Sequence, residues 1–189
     1  MRVLLLAVAL LSPLERLDLT VQEAVQASRT PWLEPVMKGA SNAGRPANVL
    51  GALLGIALLD AAAGPATVWL TLAAMVPTNL VVEGLKRAVN RTRPDGEHKR
   101  SNASFPSSHA ANAAAIAWIF SGRWRRLAPA FWALALTVAW SRMYLNRHYL
   151  SDVLAGLAIG MACAWLAPRL VRRFSKARPA PPEPAPRAG

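Results

Sequence analysis

The sequence has few of the residues from which a cross-linked or metal-held core is built. Its 189 residues include one cysteine, Cys163, so no disulfide can form within the chain. Histidine occurs three times, and ten acidic residues are scattered among 22 lysines and arginines. Metal sites need grouped His, Cys or carboxylate ligands, and this scatter makes a poor ligand set. We therefore predict that the protein uses neither a metal nor another cofactor.

Acidic residues are so scarce that the formal net charge is +12 at pH 7. Such a charge is typical of nucleic-acid-binding proteins, but here the basic residues stand at the ends of apolar runs. Hydrophobic residues make up 53% of the chain, and several runs approach the ~20 residues that cross a bilayer. Anionic lipid head groups and membrane topology account for most of the basic residues. The sequence therefore predicts a polytopic membrane protein without a nucleic-acid partner.

The order of apolar and polar segments predicts an all-α membrane bundle with five to six transmembrane helices. Residues 1–14 predict an apolar anchor or short transmembrane helix, because no small-x-small cleavage site follows them. Residues 15–45 predict two short amphipathic helices that lie at the membrane interface or cap the bundle. Residues 46–173 form the predicted bundle, and the proline- and alanine-rich residues 174–189 a disordered tail. The apolar runs of the bundle span about 47–59, 66–85, 106–120, 127–140 and 150–170.

Counting these helices places the polar segment 90–105 on one face of the membrane. The opposite face carries the arginines of the SGRWRR turn and the basic residues of the tail. The positive-inside rule then makes the tail cytoplasmic and turns the polar segment outward. Small size and an alanine- and arginine-rich composition predict a bacterial inner-membrane protein whose site faces the periplasm.

Three short patches with reactive side chains fall on that outward face. Their active members are Lys86 and Arg93 in KRAVNRTRP, Ser107, Ser108 and His109 in FPSSHA, and Arg142, His148 and Asp152 in SRMYLNRHYLSD. Three cations around one point suit a phosphate group, whose oxygens arginine can bind in forked pairs. The backbone N–H groups of Ser107 and Ser108, at a predicted helix start, favour the same anion.

The third patch predicts a nucleophilic histidine. In a helix, Asp152 lies one turn beyond His148 and can accept its Nδ1–H, which leaves Nε2 free to attack phosphorus. The three cations would stabilise the charge on the phosphoryl oxygens, a task that magnesium performs elsewhere. His109 would protonate the leaving oxygen and then activate the water that releases phosphate. Asn112, one turn after His109, either orients that imidazole or hydrogen-bonds to a neighbouring helix.

These patches resemble the signature motifs of the type 2 phosphatidic acid phosphatase superfamily, which contains lipid phosphate phosphatases and is related to vanadium haloperoxidases. The motif K-x6-R-P corresponds to Lys86, Arg93 and Pro94, and S-R-x5-H-x3-D to Ser141, Arg142, His148 and Asp152. The remaining motif, P-S-G-H, has Ser108 in place of its glycine. The resemblance implies a helical bundle that cleaves a lipid phosphate. It gives His148, Asp152 and His109 catalytic roles, and phosphate contacts to Lys86, Arg93, Ser107, Ser108 and Arg142.

We therefore predict a metal-independent phosphatase that acts on a lipid phosphate through a phosphohistidine. Undecaprenyl diphosphate, phosphatidylglycerol phosphate and phosphatidic acid are the candidate substrates, with the undecaprenyl lipid ranked first. One alternative is peroxidase chemistry with vanadate in the same cage, which the membrane helices oppose because the haloperoxidases are soluble. Another is an inactive lipid-binding protein, which the presence of His109, His148 and Asp152 opposes. The sequence predicts no oligomeric state.

Overall fold

A computed structural model describes residues 12–59, 64–97 and 103–176. Within those ranges the chain forms seven α-helices and no β-strand, so the all-α prediction is confirmed there. The helices are α1 (Pro13–Ala27), α2 (Leu33–Ala43), α3 (Pro46–Leu59), α4 (Gly64–Val89), α5 (Ser108–Arg123), α6 (Ala128–Tyr144) and α7 (Leu150–Lys176), with a 3₁₀ turn at Arg125–Leu127. The predicted anchor at 1–14 lies outside the described residues except for its end. Helix α7 continues to Lys176, into the predicted tail, and the rest of that tail is not described.

Local sequence explains where two of these helices begin. Helix α1 starts at a capping box, in which Ser12 Oγ accepts a hydrogen bond from the Glu15 N–H and Glu15 Oε2 accepts one from the Ser12 N–H. Helix α5 starts at Ser107, whose side chain caps the Ala110 N–H. Helix α4 is longer than the predicted run at 66–85, because it continues to Val89 and carries Lys86 in its last turn.

The outer surface of the bundle is apolar as well as its core. Among the described residues, two segments are long and apolar enough to cross a membrane, Pro65–Val89 and Leu150–Val171. Large apolar side chains also face outward from α3, α4, α6 and α7, including Leu58, Trp69, Leu80, Leu134 and Trp165. Helices that are apolar on their outer face suit hydrocarbon rather than water. The number of spans, five to six, stays a prediction.

Helices α5 and α7 approach each other closely through small residues. A Cβ atom added at Gly156 would lie 2.5 Å from the Ser107 carbonyl oxygen, and one at Gly160 would overlap the Ala111 carbonyl. Opposite them, α5 presents a row of fully buried alanines, Ala110, Ala111, Ala114 and Ala115. This is the small-xxx-small contact of membrane helices. It sets the first turn of α5 against the first turn of α7.

Helices α1 and α2 cap one end of the bundle. Helix α1 packs on α6 and α7, and α2 packs on α6. In the cap, Gln26 Nε2 donates to the Met143 carbonyl at 3.0 Å, and the Tyr144 hydroxyl accepts from the Thr30 N–H at 2.8 Å. The cap therefore lies directly over the end of α6, where the third patch begins.

Candidate active site

A polar cavity of about 750 Å³ opens between the cap and the bundle. Five of the eight predicted site residues line it, namely Arg93, Ser108, His109, Arg142 and His148. The cap supplies much of the remaining wall through Arg29, Glu34, Lys38, Ser41, Asn42 and Arg45. The structure thus brings together all three patches that the sequence singled out. It also adds a wall from residues 15–45 that the sequence did not predict.

The other three predicted residues lie behind the cavity wall. Lys86 is 3% exposed and its Nζ donates to the Ala103 carbonyl at 3.1 Å. Ser107 is fully buried, and its N–H, which we predicted to face an anion, donates instead to the Asp152 carbonyl at 3.0 Å. Asp152 is also fully buried. These three residues hold the wall together, and their direct contact with phosphate stays a prediction.

His148 and Asp152 face each other at the start of α7. The distance from His148 Nδ1 to Asp152 Oδ2 is 3.6 Å, which is longer than a hydrogen bond. Within the described part of the chain, Nδ1 has no hydrogen-bond partner. Burial lowers the pKa of His148 to about 4. The imidazole is therefore neutral at pH 7, as a nucleophile requires.

His109 lies in the first turn of α5, beside the junction of α2 and α3. A Cβ atom at Gly44 would lie 3.0 Å from Cδ2 of His109, so only glycine fits beside the ring without displacing it. The side-chain amide of Asn112 hydrogen-bonds to a neighbouring helix and not to this imidazole. Its side chain exchanges two hydrogen bonds with the amide of Asn79 on α4, at 3.0 and 3.2 Å. The interhelical alternative therefore describes Asn112.

Three cations are concentrated around the cavity with little exposure to solvent. Lys86, Arg93 and Arg142 are 3%, 7% and 9% exposed, and their charges are close enough to interact. Arg142 Nη1 donates to Ser41 Oγ, while its Nε has no hydrogen-bond partner among the described residues. Several positive charges gathered at one cavity attract an anion, and arginine can bind phosphate oxygens in forked pairs. The arrangement therefore suits a phosphate group.

The sequence interpretation missed a residue within the first patch, Arg91. Its guanidinium bridges two carboxylates, with Nη1 2.8 Å from Asp152 Oδ1 and Nη2 2.8 Å from Asp18 Oδ2. Asp18 shares the buried stripe of α1 with Gln22 and Val25. An acid on the buried face of an amphipathic helix was the one available signal that a cationic partner exists.

Sequence comparison identifies relatives of this chain. Residues 67–176 match the PAP2 superfamily, and this region contains all eight predicted site residues. A lipid A 1-phosphatase from Rhizobium johnstonii is 34% identical over 105 residues, which make up 49% of this chain and 42% of that protein. The match thus spans less than half the length of that relative. Phosphatidylglycerophosphatase B from Bacillus subtilis is 28% identical over 168 residues, with 79% of this chain and 80% of that protein covered.

Solved structures share the fold. A transmembrane PAP2-type phosphatidylglycerolphosphate phosphatase from Bacillus subtilis has a TM-score of 0.72 at 27% identity, covering 93% of this chain and 94% of that one. LpxE from Aquifex aeolicus also has a TM-score of 0.72, at 22% identity, covering 81% and 95%. The likeness to LpxE concerns the fold alone. The transmembrane relative and the two apolar spans together indicate a membrane protein.

Proposed function

The chain belongs to the PAP2 superfamily, and from that premise we propose that it is a membrane-embedded phosphatase of lipid phosphates. The observation that carries the proposal is the cluster of Lys86, Arg93 and Arg142 beside a neutral, buried His148. Positive charge concentrated at one cavity would attract a phosphoryl group, and His148 would supply a nucleophile next to it. Relatives named as lipid phosphatases support the same class of reaction.

The proposed reaction has two steps. His148 Nε2 attacks phosphorus, the bond from phosphorus to the lipid oxygen breaks, and His109, whose protonated form the negative charge of the bound phosphate favours, donates a proton to that leaving oxygen. His109 then takes a proton from a water molecule, whose oxygen attacks phosphorus. The bond from phosphorus to His148 Nε2 breaks, and inorganic phosphate is released. Asp152, 3.6 Å from Nδ1, stabilises the positive charge that the imidazole gains. The three cations stabilise the equatorial oxygens in both steps.

An apolar groove beside the cavity supports a lipid as the substrate. The groove, about 300 Å³ in volume, lies between α3, α5 and α6 and is lined by Gly44, Ala52, Ala117, Phe131 and Val138 among others. Gly44 also sits against the ring of His109. A hydrocarbon chain in the groove would therefore bring its head group past His109 into the polar cavity. We propose phosphatidylglycerol phosphate, phosphatidic acid, undecaprenyl diphosphate and a lipid A phosphate as the substrates to test.

We further propose that the cavity faces the periplasm of a bacterial inner membrane. The SGRWRR turn, at the opposite end of the bundle from the cavity, holds three arginines within six residues, and such turns stay in the cytoplasm. A tag on the C-terminal tail should then react with a membrane-impermeant reagent only after the inner membrane is opened. Labelling of the tag in intact spheroplasts would show that the tail faces the periplasm and would contradict the proposed orientation.

Phosphate release in detergent tests the proposed function. Wild-type protein and a His148→Ala variant are incubated with the four lipids and with one soluble phosphate ester, in the presence of a chelator. We expect release from at least one lipid that survives chelation and falls by about 1,000-fold or more in the variant, because the nucleophile is lost. Equal release by variant and wild type would refute the phosphohistidine route. Lipid binding without release from any lipid would favour an inactive binding protein.

A further inference from the structure

We infer that Arg91 and Asp18 are positioning residues for the His148–Asp152 pair. Helix α1 therefore contributes to the site through Asp18. This inference rests on the proposed function. Arg91 stands at a variable position of the K-x6-R-P motif, and Asp18 lies outside the region matched to the family. The argument depends on how the two side chains hold Asp152 and on the charge that they add beside it.

The guanidinium of Arg91 is held from several sides. Besides Asp152 and Asp18, its Nη1 contacts Ser151 Oγ at 2.8 Å, and its plane lies over the Tyr149 ring with 4.2 Å to the ring centroid. Asp18 is 1% exposed and also accepts from the Ser151 N–H at 2.8 Å. The hydrogen bonds to Asp18 and the charge of Asp152 outweigh burial and raise the pKa of Arg91. The guanidinium is therefore a fixed link between α1 and α7.

This link, together with two donors to the other oxygen, fixes the orientation of the Asp152 carboxylate towards the histidine. Arg91 occupies Oδ1, while Oδ2 accepts from the Tyr149 N–H at 2.9 Å and from the Ser104 hydroxyl. Oδ2 is also the oxygen nearest to His148 Nδ1. Removing Arg91 would leave Oδ1 without its donor and allow the carboxylate to turn. Arg91 therefore holds the orientation that the nucleophile needs, without itself touching the substrate.

The same group of side chains controls the charge beside His148. Asp18, Arg91 and Asp152 together carry one net negative charge, which favours a positively charged imidazole. Among the described residues, the other groups whose charges act on this ring are Arg142 on α6, Arg93 in the polar segment and His109 on α5. Neutralising Asp18 would remove a negative charge from this environment, whereas neutralising Arg91 would remove a positive one. The two changes must therefore shift the protonation of His148 in opposite directions.

Four variants and one control test the inference. Asp18→Asn and Arg91→Met each remove one charge, the double variant removes both, and Arg91→Lys keeps the charge without the forked geometry. Glu23→Gln is the matched control, because it neutralises an exposed carboxylate on the same helix. We measure kcat and KM on the best lipid substrate, the pH profile of kcat/KM, and the titration of the His148 imidazole by NMR. With three histidines in the chain, a His148→Asn spectrum assigns the signal.

We expect kcat to fall by about 10- to 100-fold in Asp18→Asn and Arg91→Met, as for other residues that orient a reacting group, with KM within about threefold. Arg91→Lys should regain part of kcat. The His148 midpoint, near pH 4 in the wild type, should move down in Asp18→Asn, up in Arg91→Met, and back towards wild type in the double variant. The substrate ionises in the same way in every assay, so its contribution cancels when the pH profiles of the variants are compared. Glu23→Gln should match the wild type throughout.

A merely structural role predicts a different result. The inference would be overturned if kcat in Asp18→Asn and Arg91→Met stayed within twofold of wild type. It would also be overturned if the His148 midpoint did not change in these variants or moved in the same direction in both. If Arg91→Met does not fold, Asp18→Asn and Arg91→Lys still test the inference through kcat and the titration of His148. The NMR titration can be measured even in a variant that has no activity. If the wild type releases no phosphate from any lipid, the proposed function fails, while opposite midpoint shifts would still support the positioning of His148.

Discussion

The α5–α7 pair and the α1–α2 cap meet at the same cavity, but they are held by different interactions. Between α5 and α7 the contact is backbone against backbone, made possible by Gly156, Gly160 and the alanines opposite them. The cap buries Val25 and Met37 in an apolar cluster with the bundle, and it is also attached through polar groups, including Asp18 on Arg91 and Ser41 on Arg142. A close apolar contact fixes a distance and tolerates no added volume. A polar contact fixes the orientation and charge of particular side chains.

The difference assigns separate tasks to the two regions. The α5–α7 contact brings the start of one helix to the start of the other, so that His109 and His148 line one cavity and Asp152 lies behind His148. The cap then orients the side chains around the cavity through its contacts with Arg91 and Arg142. Gly44, at the end of α2, lies against the His109 ring. We therefore expect damage to the α5–α7 contact to appear as lost folding, and damage to the cap to appear first in catalysis or in local stability.

The largest effect is expected at Gly160, where the two helices touch most closely. In Gly160→Ala the new methyl group would overlap the Ala111 carbonyl, and because backbone cannot rotate aside, the cost should be about 3 kcal/mol. Thermal unfolding in detergent measures this loss. Gly55→Ala in α3 is the matched control, since open space surrounds Gly55, and it should gain up to ~1 kcal/mol from helix propensity. Equal melting temperatures for the two variants would mean that the α5–α7 contact is not the tight one.

A smaller effect, confined to activity, is expected at Arg142, where cap and bundle meet. Arg142→Lys keeps a positive charge but loses the fork that holds Ser41 and can bind two phosphate oxygens. We expect kcat/KM to fall by about 100-fold, with the melting temperature within a few degrees of wild type. Arg87→Lys, on the exposed side of α4, controls for the exchange itself. A large loss of stability without loss of activity would show that Arg142 serves the packing of the cap.

The sequence predicts the two regions unequally. It predicts the cavity residues Arg93, His109, Arg142 and His148 because each lies at or near a helix end on one face, and helix ends can be predicted from apolar runs and capping residues. It does not predict Asp18 or Ser41 as partners of the site. Asp18 pairs with a residue 73 positions away and Ser41 with one 101 positions away. No local period encodes such a contact, so only the buried position of Asp18 in α1 hints at it.

Lys86 shows a different limit of prediction from sequence, because it was predicted to contact the anion but lies behind the cavity wall. Its spacing from Arg93 predicts that both side chains reach the same anion. In the structure, however, Lys86 Nζ bonds to the Ala103 carbonyl behind the wall. Helix α4 ends later than its apolar run suggests, which keeps Lys86 inside the helix rather than in the polar segment. Motif spacing thus predicts which residues gather at one end of the bundle, but not which of them line the cavity.

The smallest effect tests the cap alone, at Tyr144. Its hydroxyl accepts from the Thr30 N–H at 2.8 Å and donates to the Thr30 carbonyl at 3.1 Å, which ties the α1–α2 turn to the end of α6. Tyr144→Phe leaves the Thr30 N–H without this partner at a cost of about 1–2 kcal/mol, while the Thr30 carbonyl still accepts from the Leu33 N–H at 3.2 Å. Because the Asp18–Arg91 and Ser41–Arg142 contacts remain, kcat should stay within about twofold of wild type. Hydrogen exchange in residues 28–33 should nevertheless speed up, since this turn opens more easily.

Thr30→Val is the isosteric control for this change. The Thr30 hydroxyl is buried and has no hydrogen-bond partner among the described residues, so its removal should leave both exchange and kcat unchanged. A kcat for Tyr144→Phe as low as that of Arg142→Lys would contradict the separation of tasks. It would mean that any loosening of the cap disturbs the reacting groups, because the whole turn rather than two polar contacts transmits its position to the cavity. Retained kcat with faster exchange would instead locate the influence of the cap in Asp18 and Ser41.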